Sequence, residues 1–212
     1  MKWTRIPLGP IQTNAYILED DSGSALIVDP GAEAEKLISL IKEKNVKPLA
    51  ILLTHAHFDH IGALDLVRKE WNLPVYLHEE EKDWLQNPSL NGSARLLGQG
   101  ITAKQADVLI EKDQKVTIGS FQFDIFHTPG HSPGSVSYYF QDEGIVLSGD
   151  ALFKQGIGRT DLTGGSYDTL LKSIHEQLLT LPEPTIVLSG HGPETDIQTE
   201  MDENPFLNGF SL

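Results

Sequence analysis

The stretch ILLTHAHFDHIG, residues 51–62, carries an apolar run directly into three histidines and an aspartate packed between His55 and His60. Nothing in folding asks for that density of imidazole. On extended chain His55 and His57 stand two positions apart, so both rings leave the same side and their nitrogens can converge on one ion. The next helix is expected to begin near Asp59, which sets Asp59 and His60 side by side in its first turn, pointing away from the first pair. A second ion can sit there. The plain alternative, a run of surface polar residues capping a helix, leaves the spacing unexplained.

Six positions cannot complete two metal sites, so further ligands are sought elsewhere. Three later strand-like runs each end in a polar side chain directly after a glycine: HTPGHSPGS at His131, VLSGDALF at Asp150 and VLSGHGPE at His191. The glycines, Gly130, Gly149 and Gly190, are expected to permit the turn that aims each side chain inward. Any one of these loops alone reads as a simple turn. Ends of strands on one side of a sheet form a rim, and three such ends with the histidine run make a ligand set.

The rest of the chain supplies the scaffold. AYILED and SALIVDP read as a hairpin turning around Asp21–Gly23. Ala34, Leu37, Ile38 and Ile41 recur at helical spacing within 32–45, and PLAILLT is an apolar strand buried on both faces. HIGALDLVRKEW reads as one helix and LPVYLH as a short strand; residues 79–102 read as helix then loop. From Lys115 the period drops to two through several strands. A last helix over 168–179, with Leu171, Ile174 and Leu178 on one face, precedes the strand PTIVLSGHG. With no fixed-period repeat and no linker, 1–212 is expected to be a single domain, two sheets packed together and covered by helices.

Composition narrows the function. The 212 residues are 39% hydrophobic with a formal net charge of −14, which repels phosphate backbones and makes nucleic acid a poor partner. There is no cysteine, hence no disulfide, thiolate ligand or cysteine nucleophile. The opening lacks the apolar core of a signal peptide and no stretch reaches membrane-span length. A cytoplasmic location and no membrane partner are expected; the oligomeric state is not legible.

The set His55, His57, Asp59, His60, His131, Asp150 and His191, in this order, resembles the metallo-β-lactamase-fold hydrolases along nearly the whole chain. Short bacterial proteins similar to glyoxalase II (hydroxyacylglutathione hydrolase) share the segments seen here at Gly156–Gly165, GIGRTDLTGG, and Asn204–Leu207, NPFL. The resemblance implies an αββα four-layer sandwich of α/β class, two mixed sheets with helices outside and metals at one edge. It implies His55, His57 and His131 on one metal, Asp59, His60 and His191 on the other, and Asp150 between both. It also implies that Asp29 of IVDPG, with Thr54 beside the run, supports the metal loop from behind.

Nitrogen and oxygen ligands without sulfur suit two divalent ions, zinc first, with iron or manganese also compatible. Two such ions about 3.5–4 Å apart would lower the pKa of a bridging water enough to supply hydroxide. Two dications against Asp59, Asp150 and hydroxide leave the site net positive, able to stabilise an oxyanion. Asp59, both ligand and neighbour of the hydroxide, is the candidate to orient it and accept its proton.

The absent cysteine and the bridging Asp150 argue against true β-lactamases, and a thioester fits better because its sulfur leaves with little protonation. The resemblance therefore points to a small acylthiol such as S-lactoylglutathione. Two departures stand out. About twenty residues follow His191, so the C-terminal helical domain of long glyoxalase II enzymes is expected to be lacking. Where those carry a lysine and a tyrosine for glutathione, Arg159 and Asp161 stand here; Arg159 could hold a substrate carboxylate or simply pair with Asp161. Two other activities fit the fold, a persulfide dioxygenase using one iron and a phosphodiesterase, the second disfavoured by the absence of basic patches. His78, His127 and His175 read as structural or surface residues, Phe121, Phe123, Tyr138 and Tyr139 as core, and the acidic run from His78 as a solvated helix.

Overall fold

The computed structural model describes residues 1–208. The chain gathers into two compact units, one of Met1–Glu111 with Thr117–Phe121, the other of Lys112–Val116 and the chain from Gln122 onward. Each builds one six-stranded sheet, mixed parallel and antiparallel, with its own helices.

In the first unit β1 (Lys2–Leu8), β2 (Thr13–Glu19), β3 (Ser24–Val28), β4 (Lys47–Leu52), β5 (Val75–His78) and β6 (Val108–Ile110) lie in chain order. The expected hairpin is β2–β3: Glu19 pairs with Ala25, and Asp20 closes the turn by accepting the N–H groups of Ser22 at 2.9 Å and Ser24 at 2.8 Å. Helix α1 (Ala34–Glu43) buries Ala34, Leu37 and Ile41, positions i, i+3 and i+7, in a core with Ile27, Ile51 and Val75. Strand β4 is central between parallel neighbours, and its fully buried Ile51 and Leu52 are each worth about 1.5–3 kcal/mol of burial. Strands β1 and β6 were not anticipated. β1 is an edge strand with Pro7 and two basic residues in KWTRIPL, a composition that hides its period, and β6 is three residues long.

The expected single helix over HIGALDLVRKEW is two: α2 (Phe58–Ile61) and α3 (Leu64–Trp71). The break falls at Gly62–Ala63, where the backbone presses on the Pro30–Gly31 loop. A Cβ at Gly62 would lie 2.3 Å from the Gly31 carbonyl oxygen, and Ala63 N–H donates to the Pro30 carbonyl at 3.0 Å, outside the helix ladder. A short α4 (Ser93–Leu97) follows within the ambiguous 79–102 region.

In the second unit the strands are β7 (Gln114–Ile118), β8 (Phe121–His127), β9 (Val136–Phe140), β10 (Ile145–Gly149), the small separate hairpin β11 (Leu152–Phe153) and β12 (Gly156–Ile157), β13 (Ile186–Ser189) and β14 (Thr195–Asp196). The sheet order is β14-β13-β10-β9-β8-β7. Because β9 is antiparallel to both β8 and β10, and β13 is parallel to β10, strands β8, β10 and β13 all run the same way. Helix α5 (Tyr167–Ser173) widens into a π turn over Ile174–Leu178, and α6 (Ile197–Glu203) closes the unit. The buried face of α5 carries Leu170, Ile174 and Leu178, not the expected Leu171, which is only half-buried. A four-residue step to Leu170 keeps the stripe over Val146 and Val187. Among the described residues no helix is long and apolar enough to cross a membrane.

Candidate metal centre

In the first unit the parallel order β3-β4-β5 brings three strand ends to one edge, and the histidine run leaves from the middle one. His55 and His57 do share a side: their rings meet edge to face, centroids 4.8 Å apart. His57 is extended at φ −66° and ψ 149° and stands just before α2. His60, expected to turn away, instead packs its ring 4.1 Å from that of His55, because α2 is a single turn that folds back over the strand end. His55, His57 and His60 are buried and Asp59 is partly exposed. Ligand atoms of His55 and His57, of His55 and His60, and of Asp59 and His60 lie within 4.8 Å of one another.

Asp29, just past β3, lies behind the histidine run. Its backbone sits in the left-handed region at φ 48°, a strained conformation that aspartate tolerates. There its carboxylate accepts the Thr54 N–H at 2.8 Å, the Thr54 hydroxyl at 2.6 Å and His60 Nδ1 at 3.0 Å. Since a carboxylate only accepts, the Thr54 proton points to Asp29, and the hydroxyl oxygen then accepts from His55 Nδ1, 3.1 Å away. Both imidazoles are thereby anchored through Nδ1–H and present Nε2 as the ligand atom, the arrangement by which a carboxylate or hydroxyl fixes a metal-binding histidine. His60 Nε2 lies 3.6 Å from Asp59 Oδ2.

In the second unit β8, β10 and β13 end on one edge, each leading to its candidate ligand. Asp150 Oδ2 lies 3.6 Å from His131 Nε2 and 3.4 Å from His191 Nε2, so the aspartate stands between the two histidines. His131 Nδ1–H donates to the Arg159 carbonyl at 2.8 Å, again leaving Nε2 toward the carboxylate. The glycine expectation holds at Gly130, φ 129°, and Gly149, φ 51°, and fails at Gly190. Gly190 keeps to the sheet edge and donates to the Gly149 carbonyl at 2.8 Å; the left-handed turn comes one residue after His191, at Gly192, φ 74°. Extension of the β10–β13 pairing past the strands is what sets Asp150 beside His191. Gly158 is required for a different reason: a Cβ there would lie 1.8 Å from the Asp150 carbonyl oxygen.

Arg159 and Asp161 form a two-pronged pair, Nε and NH2 each 2.7 Å from a carboxylate oxygen. That hydrogen bond, against slight burial, raises the Arg159 pKa above its ordinary value. Both side chains are more than half exposed, so the pair is worth at most about 1 kcal/mol. The NPFL segment acts through Asn204, whose amide donates to the Gly156 carbonyl at 3.1 Å and to the buried Glu200 at 2.7 Å; Glu200 accepts Gln155 N–H at 2.9 Å. The loop bearing Arg159 is therefore tied down from α6. His78 caps the turn after β5, accepting Glu80 N–H, and His127 bonds the Pro133 carbonyl at 2.7 Å.

Two residues escaped the sequence reading. Thr13 donates its hydroxyl to Asp59 Oδ2 at 2.8 Å. Glu81, in the run read as a solvated helix, is fully buried, and its carboxylate accepts Ala56 N–H. Both contacts span more than twenty residues and leave no local pattern.

The donor set, imidazoles anchored at Nδ1 with carboxylates beside them and no thiolate, fits a divalent cation. Comparison with known proteins agrees. The signature of the Metallo-beta-lactamase superfamily matches residues 8–191. The chain is 65% identical over all of both chains to Probable metallo-hydrolase YqgX of Bacillus subtilis. It is 38% identical to Hydroxyacylglutathione hydrolase GloC of Haemophilus influenzae, covering 97% of this chain and 98% of that one. Among solved structures it is similar to BLEG-1 B3 metallo-beta-lactamase, with a TM-score of 0.97 and 61% identity over 98% of this chain and 100% of that one. It is also similar to TTHA1623 in a di-iron-bound form, TM-score 0.83 and 42% identity over 96% and 100%. The chain belongs to the metallo-β-lactamase superfamily, with its α/β sandwich fold.

Proposed function

We propose that this protein hydrolyses a thioester of a small acylthiol, of the S-lactoylglutathione kind, at a centre of two divalent ions. His55, His57 and His131 would hold one ion, Asp59, His60 and His191 the other, and Asp150 both. Zinc suits these ligands, and so does iron, the metal of the TTHA1623 structure. When bound, such ions supply a Lewis acid and a hydroxide at neutral pH. The observation that carries the thioester reading is the likeness to GloC along 97% of the chain.

The chain's own residues divide the work. Asp59, steadied by the Thr13 hydroxyl on Oδ2, orients the attacking water and takes its proton. Attack forms the bond from water oxygen to the acyl carbon, the C–S bond breaks, and sulfur departs as thiolate. A free thiol ionises near about pH 8.5, so no acid is needed to protonate it in the transition state. Asp161 holds Arg159 at the rim, where the guanidinium can attract a carboxylate of the thiol carrier.

A second reading rests on the BLEG-1 likeness: hydrolysis of a β-lactam by the same attack. Its leaving amide nitrogen must gain a proton, a demand that sulfur does not make. Turnover of S-lactoylglutathione and of nitrocefin by the zinc- and iron-repleted protein separates the two. A kcat/KM at least about a hundredfold higher for the thioester supports the proposal, and the reverse order replaces it.

A further inference from the structure

The β4–β5 ladder ends at Leu53, whose N–H donates to the Tyr76 carbonyl at 3.1 Å. Beyond it the chain still carries buried amides that need acceptors. Two carboxylates take over. Asp29, just past β3, accepts Thr54 N–H at 2.8 Å; Glu81, just past β5, accepts Ala56 N–H at 2.5 Å. Ala56 is the residue between His55 and His57, and it is itself fully buried. Its peptide plane therefore decides how both neighbouring rings are aimed.

Glu81 is held as firmly as what it holds. It closes a 3-10 turn, Glu79–Glu81, capped by His78, and its carbonyl accepts Trp84 N–H at 2.9 Å. The Trp84 ring in turn lies 5.6 Å from that of His57. Folding alone would be served by any arrangement that kept Ala56 N–H in water or in the ladder. A buried carboxylate is a costly acceptor, and one aimed at this amide holds it with a strong, charge-assisted hydrogen bond.

We infer that Glu81 is a positioning residue for the metal centre: its carboxylate oxygen fixes the Ala56 peptide so that His55 and His57 face one ion together. The inference rests on the metal-site reading above. The test compares zinc affinity, measured on the full chain by competition with a chromophoric chelator, among wild type, Glu81→Ala, Glu81→Asp, Glu81→Gln and the exposed control Glu79→Ala. Glutamine keeps an acceptor oxygen at the same reach, while aspartate keeps the charge one carbon short. Positioning predicts a loss of about 10–100-fold for Glu81→Ala and a clear loss for Glu81→Asp, with Glu81→Gln and Glu79→Ala within about threefold of wild type. Should Glu81→Ala fail to fold, the order of Glu81→Asp against Glu81→Gln carries the test. Unchanged affinity in Glu81→Ala and Glu81→Asp, or Glu81→Gln weaker than Glu81→Asp, overturns the inference. A wild type that binds no zinc, iron or manganese instead overturns the metal-site reading beneath it.

Discussion

The two halves of the proposed ligand set are built by different means. In the first unit four candidates sit within six consecutive residues, and side chains hold them: Asp29 and Glu81 reach from neighbouring strand ends, and Thr54 from the run's own, to fix amides and ring nitrogens. In the second unit the candidates come one from each of three strand ends, and they are held by backbone. The Arg159 carbonyl anchors His131, and the continued β10–β13 pairing sets Asp150 beside His191. The crowded loop adds borrowed carboxylates to a few main-chain contacts such as Phe58 N–H to the Asn91 carbonyl at 3.0 Å; the sheet edge braces itself mostly through its own backbone. The first half should therefore be sensitive to polar substitutions behind the ligands, and the second to added bulk.

The largest effect should come from the ligands themselves. His131→Ala and Asp150→Ala are expected to lower bound metal, read by elemental analysis, and to cost at least about 10³ in kcat, roughly 4 kcal/mol of transition-state stabilisation. Unchanged metal content in both would remove the second half from the site. Next comes Asp29→Asn: Oδ2 receives both the Thr54 hydroxyl and His60 Nδ1 while Oδ1 receives the Thr54 N–H, so an amide must turn its NH2 toward one of these donors. A loss of about 10–100-fold in metal affinity is expected, and an equal loss on changing the Arg159 side chain would erase the contrast. Gly158→Ala tests the backbone half. The added methyl must displace the Asp150 carbonyl, so a loss of about 1–3 kcal/mol in urea unfolding is expected, with weakened metal binding. The smallest effect belongs to Arg159→Ala: the carbonyl that anchors His131 survives the change, so metal content and stability should stay within about 1 kcal/mol of wild type while KM rises several-fold.

The same contrast explains what could be read from sequence. The histidine run was legible because its ligands are neighbours and His-x-His spacing on extended chain has one geometric meaning. The ends of β8, β10 and β13 were legible through a repeated punctuation, although at His191 the turn is made by Gly192 and the preceding Gly190 serves the sheet. The bracing was legible only at Asp29 and Thr54. Glu81 hides in an acidic run whose composition describes a solvated face, and Thr13 opens an ordinary strand; both act across folds of the chain that carry no period. The split of the helix after His60 was likewise invisible, since its cause is the Pro30–Gly31 loop pressing from about thirty residues earlier. The likeness to BLEG-1 meets the argument against β-lactam hydrolysis drawn from the missing cysteine and Asp150, and only the substrate comparison settles which weighs more.

The most direct measurement is anomalous diffraction at the zinc and iron edges from crystals of the repleted protein. The account predicts two peaks, with Nε2 of His55, His60 and His131 among the ligands and Asp150 touching both ions. A map with no peak at these side chains, or one in which the histidines bind through Nδ1 with Asp29 and the Arg159 carbonyl displaced, would contradict it.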